Sequence, residues 1–148
     1  MIKIKGISLG MVTPFTVNDK IDAEGIIKNL DFAFENGVDS VSPTATTGEG
    51  GLLSFEEYEK VVRIVVEHVN SGVVITPGAS GSTPEAVIIR AKLAKDVGAD
   101  GAYLSTPPYY KPTQKGLFAY FSKILSSVDF PFIIYNSAAR TIETLFIF

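Results

Sequence analysis

The sequence predicts an α/β fold in which a parallel sheet is covered by helices. Three observations carry that prediction. Short apolar runs alternate with amphipathic stretches along the whole chain. The runs read as mostly apolar on both faces, as strands do when helices cover both sides of a parallel sheet. The amphipathic stretches carry residues that cap and stop helices.

The first run is "GISLGMV" (6–12), closed by Thr13-Pro14-Phe15, where Pro14 has no N–H to give to a neighbouring strand. In "DAEGIIKNLDFAFENG" (22–37), Asp22 caps a helix, Ile26, Leu30, Ala33 and Phe34 recur at helical spacing, and Gly37 stops it. "VDSVSPT" (38–44) is the second strand. Ser54 and Glu57 have the spacing of a capping box ahead of the stripe Tyr58, Val61, Val62, Val65 and Val66. "GVVITPG" (72–78) is the third strand. Thr83-Pro84-Glu85 opens the next helix, with a cap, a first-turn proline and an acid facing the macrodipole. That helix runs through Val87, Ala91, Leu93 and Ala94 to Gly98. "DGAYLST" (100–106) is the fourth strand, Thr113 starts a helix through Leu117, Phe121, Ile124, Leu125 and Val128, and "FPFIIYN" (130–136) is the fifth strand. Pro43 and Pro77 fit this scheme only at strand ends or edges.

Two architectures satisfy the pattern: a doubly wound open sheet, and a (β/α)8 barrel cut short. A complete barrel needs about 250 residues, and the 148 residues here supply about five of the eight units. Periodicity does not choose between the two.

Composition narrows the function. A net charge of −3 leaves no basic surplus to meet phosphates, so nucleic acid is not an expected partner. No cysteine is present, which excludes disulfides and thiolate metal sites. The N-terminus lacks the apolar core and cleavage site of a signal peptide, and no run approaches the roughly 20 residues that span a bilayer. The chain reads as cytoplasmic, with no membrane partner. No Asp/Glu/His cluster has metal-ligand spacing and no G-x-G-x-x-G is present, so no metal or other cofactor is expected.

In either architecture, function gathers where strands end and helices begin. The polar surplus lies there: Thr13, then Thr46-Thr47-Gly48-Glu49, then Ser80 and Ser82, then "TPPYYKPTQ", then "YNSAART". Thr46 and Thr47, with the backbone N–H groups of a glycine-containing turn, can hold a carboxylate or phosphate; the same stretch also reads as an ordinary loop ahead of the Ser54 cap. Tyr109, Tyr110 and Tyr135 are candidate proton carriers, although strand-end tyrosines more often pack. Arg140 can clamp a carboxylate or stand as a surface arginine. Glu49 has the chemistry of a general base or of an orienting group. His68, on the second helix, is solvated or structural.

"GISLGMVTPF", "ATTGEGGLLS", "TPPYYKPTQKGL" and "YNSAART" resemble, in order and spacing, the dihydrodipicolinate synthase / N-acetylneuraminate lyase family of pyruvate-dependent class I aldolases. The match runs from about Gly6 to Thr141. The resemblance implies a (β/α)8 TIM barrel of which residues 1–148 form a single incomplete domain, strands β1–β5 with helices α1–α4. It implies that Thr47 binds the pyruvate carboxylate with help from the Gly48 backbone. Thr46 and Tyr135 pass protons, together with a tyrosine reaching across a dimer interface, Tyr109 or Tyr110, with Tyr109 preferred. Arg140 receives the carboxylate of the aldehyde substrate. The expected partners are pyruvate, an aldehyde such as aspartate semialdehyde, and further copies of the chain in a homo-oligomer.

The implied chemistry runs through a Schiff base on a lysine of a sixth strand. No lysine of this chain stands at the C-terminal end of a proposed strand, and Lys111, the nearest, lies in a different loop. The chain is therefore expected to be inactive alone. The family's usual first glycine is Ala45, its Y-N-x-P proline is Ala138, and the pattern fails after Thr141. The tail "IETLFIF" reads as the mark of a premature stop, a frameshift or an artificial cut. Tyr-Tyr-Lys-Pro-Thr-Gln and the Arg140-Thr141 pair point to the synthase of lysine biosynthesis. "TGEGGLLS" leans to a sugar-acid branch such as 2-keto-3-deoxygluconate aldolase or N-acetylneuraminate lyase. A catalytically dead half-barrel that only binds or assembles is the other alternative.

Overall fold

The structure, a computed structural model, describes residues 3–69, 72–108 and 110–137. Strand and helix alternate: β1 (Ser8–Gly10), α1 (Ala23–Glu35), β2 (Ser40–Ser42), α2 (Phe55–His68), β3 (Val74–Ile75), α3 (Pro84–Val97), β4 (Ala102–Ser105), α4 (Gln114–Ser127) and β5 (Phe132–Tyr135). The helix starts follow the capping residues. Asp22 accepts from the Gly25 N–H, Thr83 from Ala86 and Thr113 from Gly116. Ser54 and Glu57 form the full reciprocal box. Gly98, at φ 104°, closes α3 in the left-handed conformation that glycine adopts without a Cβ penalty.

The strands are shorter than the apolar runs. Only two to four residues of each run enter the ladder, because parallel pairing ends where the chain turns toward the next helix. Pro43 and Pro77 lie just past the ends of β2 and β3, where a missing N–H breaks no ladder bond.

All pairings between the described strands are parallel. In register, Ser8 faces Ser40 and Gly10 faces Ser42 between β1 and β2, while Val41 faces Ile75 between β2 and β3. β4 and β5 pair from Ala102–Phe132 to Ser105–Tyr135. A bridge between Gly78 and Tyr103 links the two groups. There the Tyr103 N–H donates to Pro77 O and the Ala79 N–H to Tyr103 O, both at 2.9 Å. The strands thus lie in chain order, and α1 packs on α2, α2 on α3 and α3 on α4. A doubly wound sheet reverses its strand order at a switch point; this one runs on in one direction, as a (β/α)8 barrel does. The fold is a TIM barrel truncated to about five strand–helix units.

Side-chain alternation divides each strand between two environments. Leu9, Val41 and Ile75 pack outward with Ile26, Leu30, Tyr58, Val61, Val62 and Val65. Ala102, Leu104 and Phe132 do the same with Val87, Ala91, Leu117, Phe121 and Ile124. Each fully buried aliphatic residue contributes roughly 1.5–3 kcal/mol relative to exposure. The opposite face carries Ser8, Gly10, Ser42, Tyr103, Ser105 and Tyr135. The expectation that the strands are apolar on both faces is therefore corrected: helices cover only the outer face, and the inner one looks into the barrel.

Candidate functional site

The inner face and the loops after β2 and β3 enclose a cavity of about 460 Å³. Its floor is Ser8, Gly10 and Ser42; its walls are Ser80, Tyr103, Ser105 and Tyr135; Thr46 and Thr47 form part of its rim. Hydroxyl groups dominate the lining, and no charged side chain is among the described residues around it. No group of three or more His, Cys, Asp or Glu able to hold a metal ion is present among the described residues.

The loop after β2 is tightly built. Its backbone turns on itself: the Gly48 N–H donates to Ala45 O at 3.1 Å, Glu49 to Thr46 O at 3.2 Å and Gly50 to Ala45 O at 3.2 Å. A Cβ on Gly50 would stand 1.7 Å from the Thr44 carbonyl oxygen, so the close approach there requires glycine. The turn leaves Thr46 and Thr47 exposed at the mouth of the cavity. Thr47 reaches over β1, where a methyl on Gly10 would come within 3.1 Å of Thr47 Oγ1.

The opposite wall is held by backbone and hydroxyl groups. The Ser105 N–H donates to Ser80 Oγ at 2.9 Å, tying the end of β4 to the loop after β3. Arg90 Nη1 donates to Ser80 O at 2.9 Å and Nη2 to Leu53 O at 3.3 Å, and its guanidinium lies 5.3 Å from the Tyr58 ring centre. Arg90 thus fastens two loops behind the cavity. Tyr58, fully buried, has its phenol pushed well above the ordinary tyrosine range by burial, with the Arg90 charge opposing in part.

The structure brings Thr46, Thr47 and Tyr135 onto one cavity. Tyr135 ends β5, opposite Ser105, and remains 47% exposed. Gly48 is buried and turns its N–H into the loop rather than the cavity. Thr13 is turned away as well: its hydroxyl donates to Gly48 O at 2.6 Å. Glu49 points to solvent from a left-handed backbone, φ 54°. Tyr110 stands 59% exposed between β4 and α4 and is not part of the cavity wall. Tyr109 and Arg140 lie outside the described residues. His68 packs its Nε2 against Asp31 Oδ1 at 2.6 Å on the helical side of the fold, remote from the cavity lining. Ser8, Gly10, Ser42, Tyr103 and Ser105 were not singled out from the sequence as cavity residues. Alternation in "AYLS" was the available signal for the last two, since Ala102 and Leu104 take the helical side.

Residues 3–147 match the Dihydrodipicolinate synthetase family. The chain belongs to that family. The 4-hydroxy-tetrahydrodipicolinate synthase of Methanocaldococcus jannaschii is 40% identical over 141 residues, which are 95% of this chain and 48% of the relative. The Citrifermentans bemidjiense enzyme of the same name is 43% identical over 138 residues, 93% of this chain and 47% of its own length. The chain spans about half the length of the curated relatives it matches. Among solved structures, the Aquifex aeolicus dihydrodipicolinate synthase superposes with a TM-score of 0.91 at 35% identity, over 96% of this chain and 48% of that one. The Acinetobacter baumannii enzyme, solved in complex with pyruvate, gives 0.92 at 35% identity, over 97% and 49%. No helix among the described residues is long and apolar enough to cross a membrane.

Proposed function

We propose that the cavity is the keto-acid site of a 4-hydroxy-tetrahydrodipicolinate synthase, the activity that condenses pyruvate with an aldehyde such as aspartate semialdehyde in lysine biosynthesis. The observation that carries this is the meeting of Thr46, Thr47 and Tyr135 on one hydroxyl-lined cavity, in a chain whose family and relatives are named for that synthase. Thr47 donates to the pyruvate carboxylate, and Gly48 lets the loop come close enough for it to do so. Thr46 and Tyr135 pass the proton that leaves as the new bond forms, with Tyr109 or Tyr110 of a neighbouring copy completing the relay. Arg140 receives the aldehyde's carboxylate.

The carbon–carbon step itself needs an amine that condenses with the pyruvate ketone, releases water and then accepts electrons as an iminium. No lysine is among the described residues lining the cavity. Residues 1–148 thus hold pyruvate reversibly, as a single incomplete barrel domain, without forming the covalent adduct. Borohydride reduction in the presence of pyruvate, followed by intact mass measurement, tests this. The expected result is an unchanged mass beside a saturable pyruvate signal in ligand-detected NMR. A mass increase on the chain overturns the missing amine, and absence of any pyruvate binding overturns the site and favours a half-barrel that only assembles.

A second reading has one observation in its favour: the wall of Ser8, Ser42, Ser80, Tyr103 and Ser105 is neutral and rich in hydroxyls. Such a wall suits the polyhydroxylated aldehyde of a 2-keto-3-deoxygluconate or N-acetylneuraminate type aldolase. Glyceraldehyde that binds the pyruvate-loaded chain better than succinate semialdehyde, a carboxylate-bearing aldehyde, would select it.

A further inference from the structure

Two buried threonines bracket the two exposed ones. Thr13, at the exit of β1, donates its hydroxyl to Gly48 O at 2.6 Å and is 8% exposed. Thr44, at the exit of β2, is 3% exposed, with its hydroxyl 2.7 Å from Pro43 O and 3.1 Å from Gly78 O beyond β3. The Gly78 N–H returns a bond to Pro43 O at 2.8 Å. The segment carrying Thr46 and Thr47 is therefore tethered on one side to the end of β1 and on the other to the end of β3.

Thr44 holds this position against its own preference. Its φ is 55°, in the left-handed region that a β-branched residue rarely occupies. Such strain persists only where the surroundings over-determine it, and here they do. A Cβ on Gly50 would collide with the Thr44 carbonyl at 1.7 Å, and one on Gly78 would stand 2.5 Å from the same oxygen. A Cβ on Gly48 would stand 2.7 Å from Met11 O and 3.0 Å from the Thr44 nitrogen. Three glycines pack around one strained threonine, and neither Thr13 nor Thr44 is among the residues lining the cavity.

We propose that Thr13 and Thr44 are positioning residues for the keto-acid site: their hydroxyls fix the loop that presents Thr46 and Thr47 to a bound carboxylate. The inference rests on the reading of the cavity given above, but its physical content is separate, because it specifies what holds the loop whether or not the ligand is pyruvate.

The test uses Thr13→Val and Thr44→Val, which keep side-chain shape and delete the hydroxyl, with Thr13→Ser and Thr44→Ser as rescues. Amide hydrogen exchange of residues 45–50 is measured in each, together with pyruvate affinity by NMR titration. Loss of one buried hydrogen bond should speed exchange in 45–50 about fivefold, leave the strands and helices at the wild-type rate, and weaken pyruvate by a similar factor. The serine variants should return both values to within twofold of wild type. Valine variants with unchanged exchange in 45–50 overturn the proposal, as does a uniform acceleration across the whole chain, which marks a merely structural role. If the wild-type chain binds no pyruvate, the keto-acid reading fails alone, and the exchange data still decide the tethering.

Discussion

Replacing Thr47 by valine isolates one hydroxyl. The side chain is exposed at the cavity mouth, and valine matches threonine in shape, so packing over Gly10 is kept and only the donor is lost. A hydrogen bond to a charged acceptor contributes about 1.5–3 kcal/mol. The open mouth puts this one at the lower end of that range. At about 1.4 kcal/mol per factor of ten, the pyruvate dissociation constant should rise about tenfold. Thermal stability should stay within a degree or so, because exposed substitutions away from structural features rarely move it. The steric counterpart is Gly10→Ala, whose methyl would sit 3.1 Å from Thr47 Oγ1 and push the hydroxyl aside by a few tenths of an ångström. It removes no polar atom, yet it should weaken pyruvate as well. Isothermal or NMR titration of both variants, with melting curves alongside, gives the result. Unchanged affinity in Thr47→Val refutes the carboxylate role, and a large drop in melting temperature refutes the view that the hydroxyl is spare to the fold.

Two further outcomes concern the scaffold. Ser54→Ala removes the side-chain half of the reciprocal cap, the Glu57 N–H to Ser54 Oγ bond at 3.2 Å, and keeps the backbone N–H that donates to Glu57 at 2.9 Å. It should cost about 1 kcal/mol and lower the melting temperature by roughly 2–4 °C, readable by circular dichroism. Burial pushes the Tyr120 phenol up to about 12, and Tyr58 is raised further for the same reason. Above pH 10 the unfolded chain releases these protons while the folded chain keeps them, so stability is full below pH 10 and falls between pH 10 and about 12. Tyr120→Phe should flatten that fall while losing the bond to Gly81 O at 2.7 Å; denaturation midpoints measured across pH 9–12 decide it.

What could be read from the chain and what could not divides along a physical line. Helix caps are local: Asp22, Ser54 with Glu57, Thr83 and Thr113 satisfy N–H groups within three residues, and each caps as its neighbours predict. Strand order is not local. Nothing in "GVVITPG" tells whether the next strand lies on the near or far side, and the choice between a barrel and a doubly wound sheet waited for the Gly78–Tyr103 bridge. Thr13 shows the same limit at one side chain. Its position at a strand end suggested a ligand contact, yet its hydroxyl turns to Gly48 O, thirty-five residues away.

The inner face is where sequence reading and structure part most, and the reason lies in what covers each side of a strand. Helices pack on the outer face, so Val41, Leu104 and Ile75 must be apolar and nearly dry. The inner face meets a cavity instead of a helix, and small or hydroxyl-bearing residues line it: Ser8 and Gly10 are exposed there, and Ser42 is buried with its hydroxyl satisfied within the fold. Ser42 and Thr76 do pair, at 2.9 Å. Because alternation assigns neighbouring residues to opposite faces, the two tasks separate residue by residue. A change at Leu104 costs packing in the second core, while a change at Ser105, one residue on, alters the wall that a ligand meets. The chain can therefore vary the cavity's chemistry without altering the scaffold that aims it, provided that the loop after β2 keeps its ties.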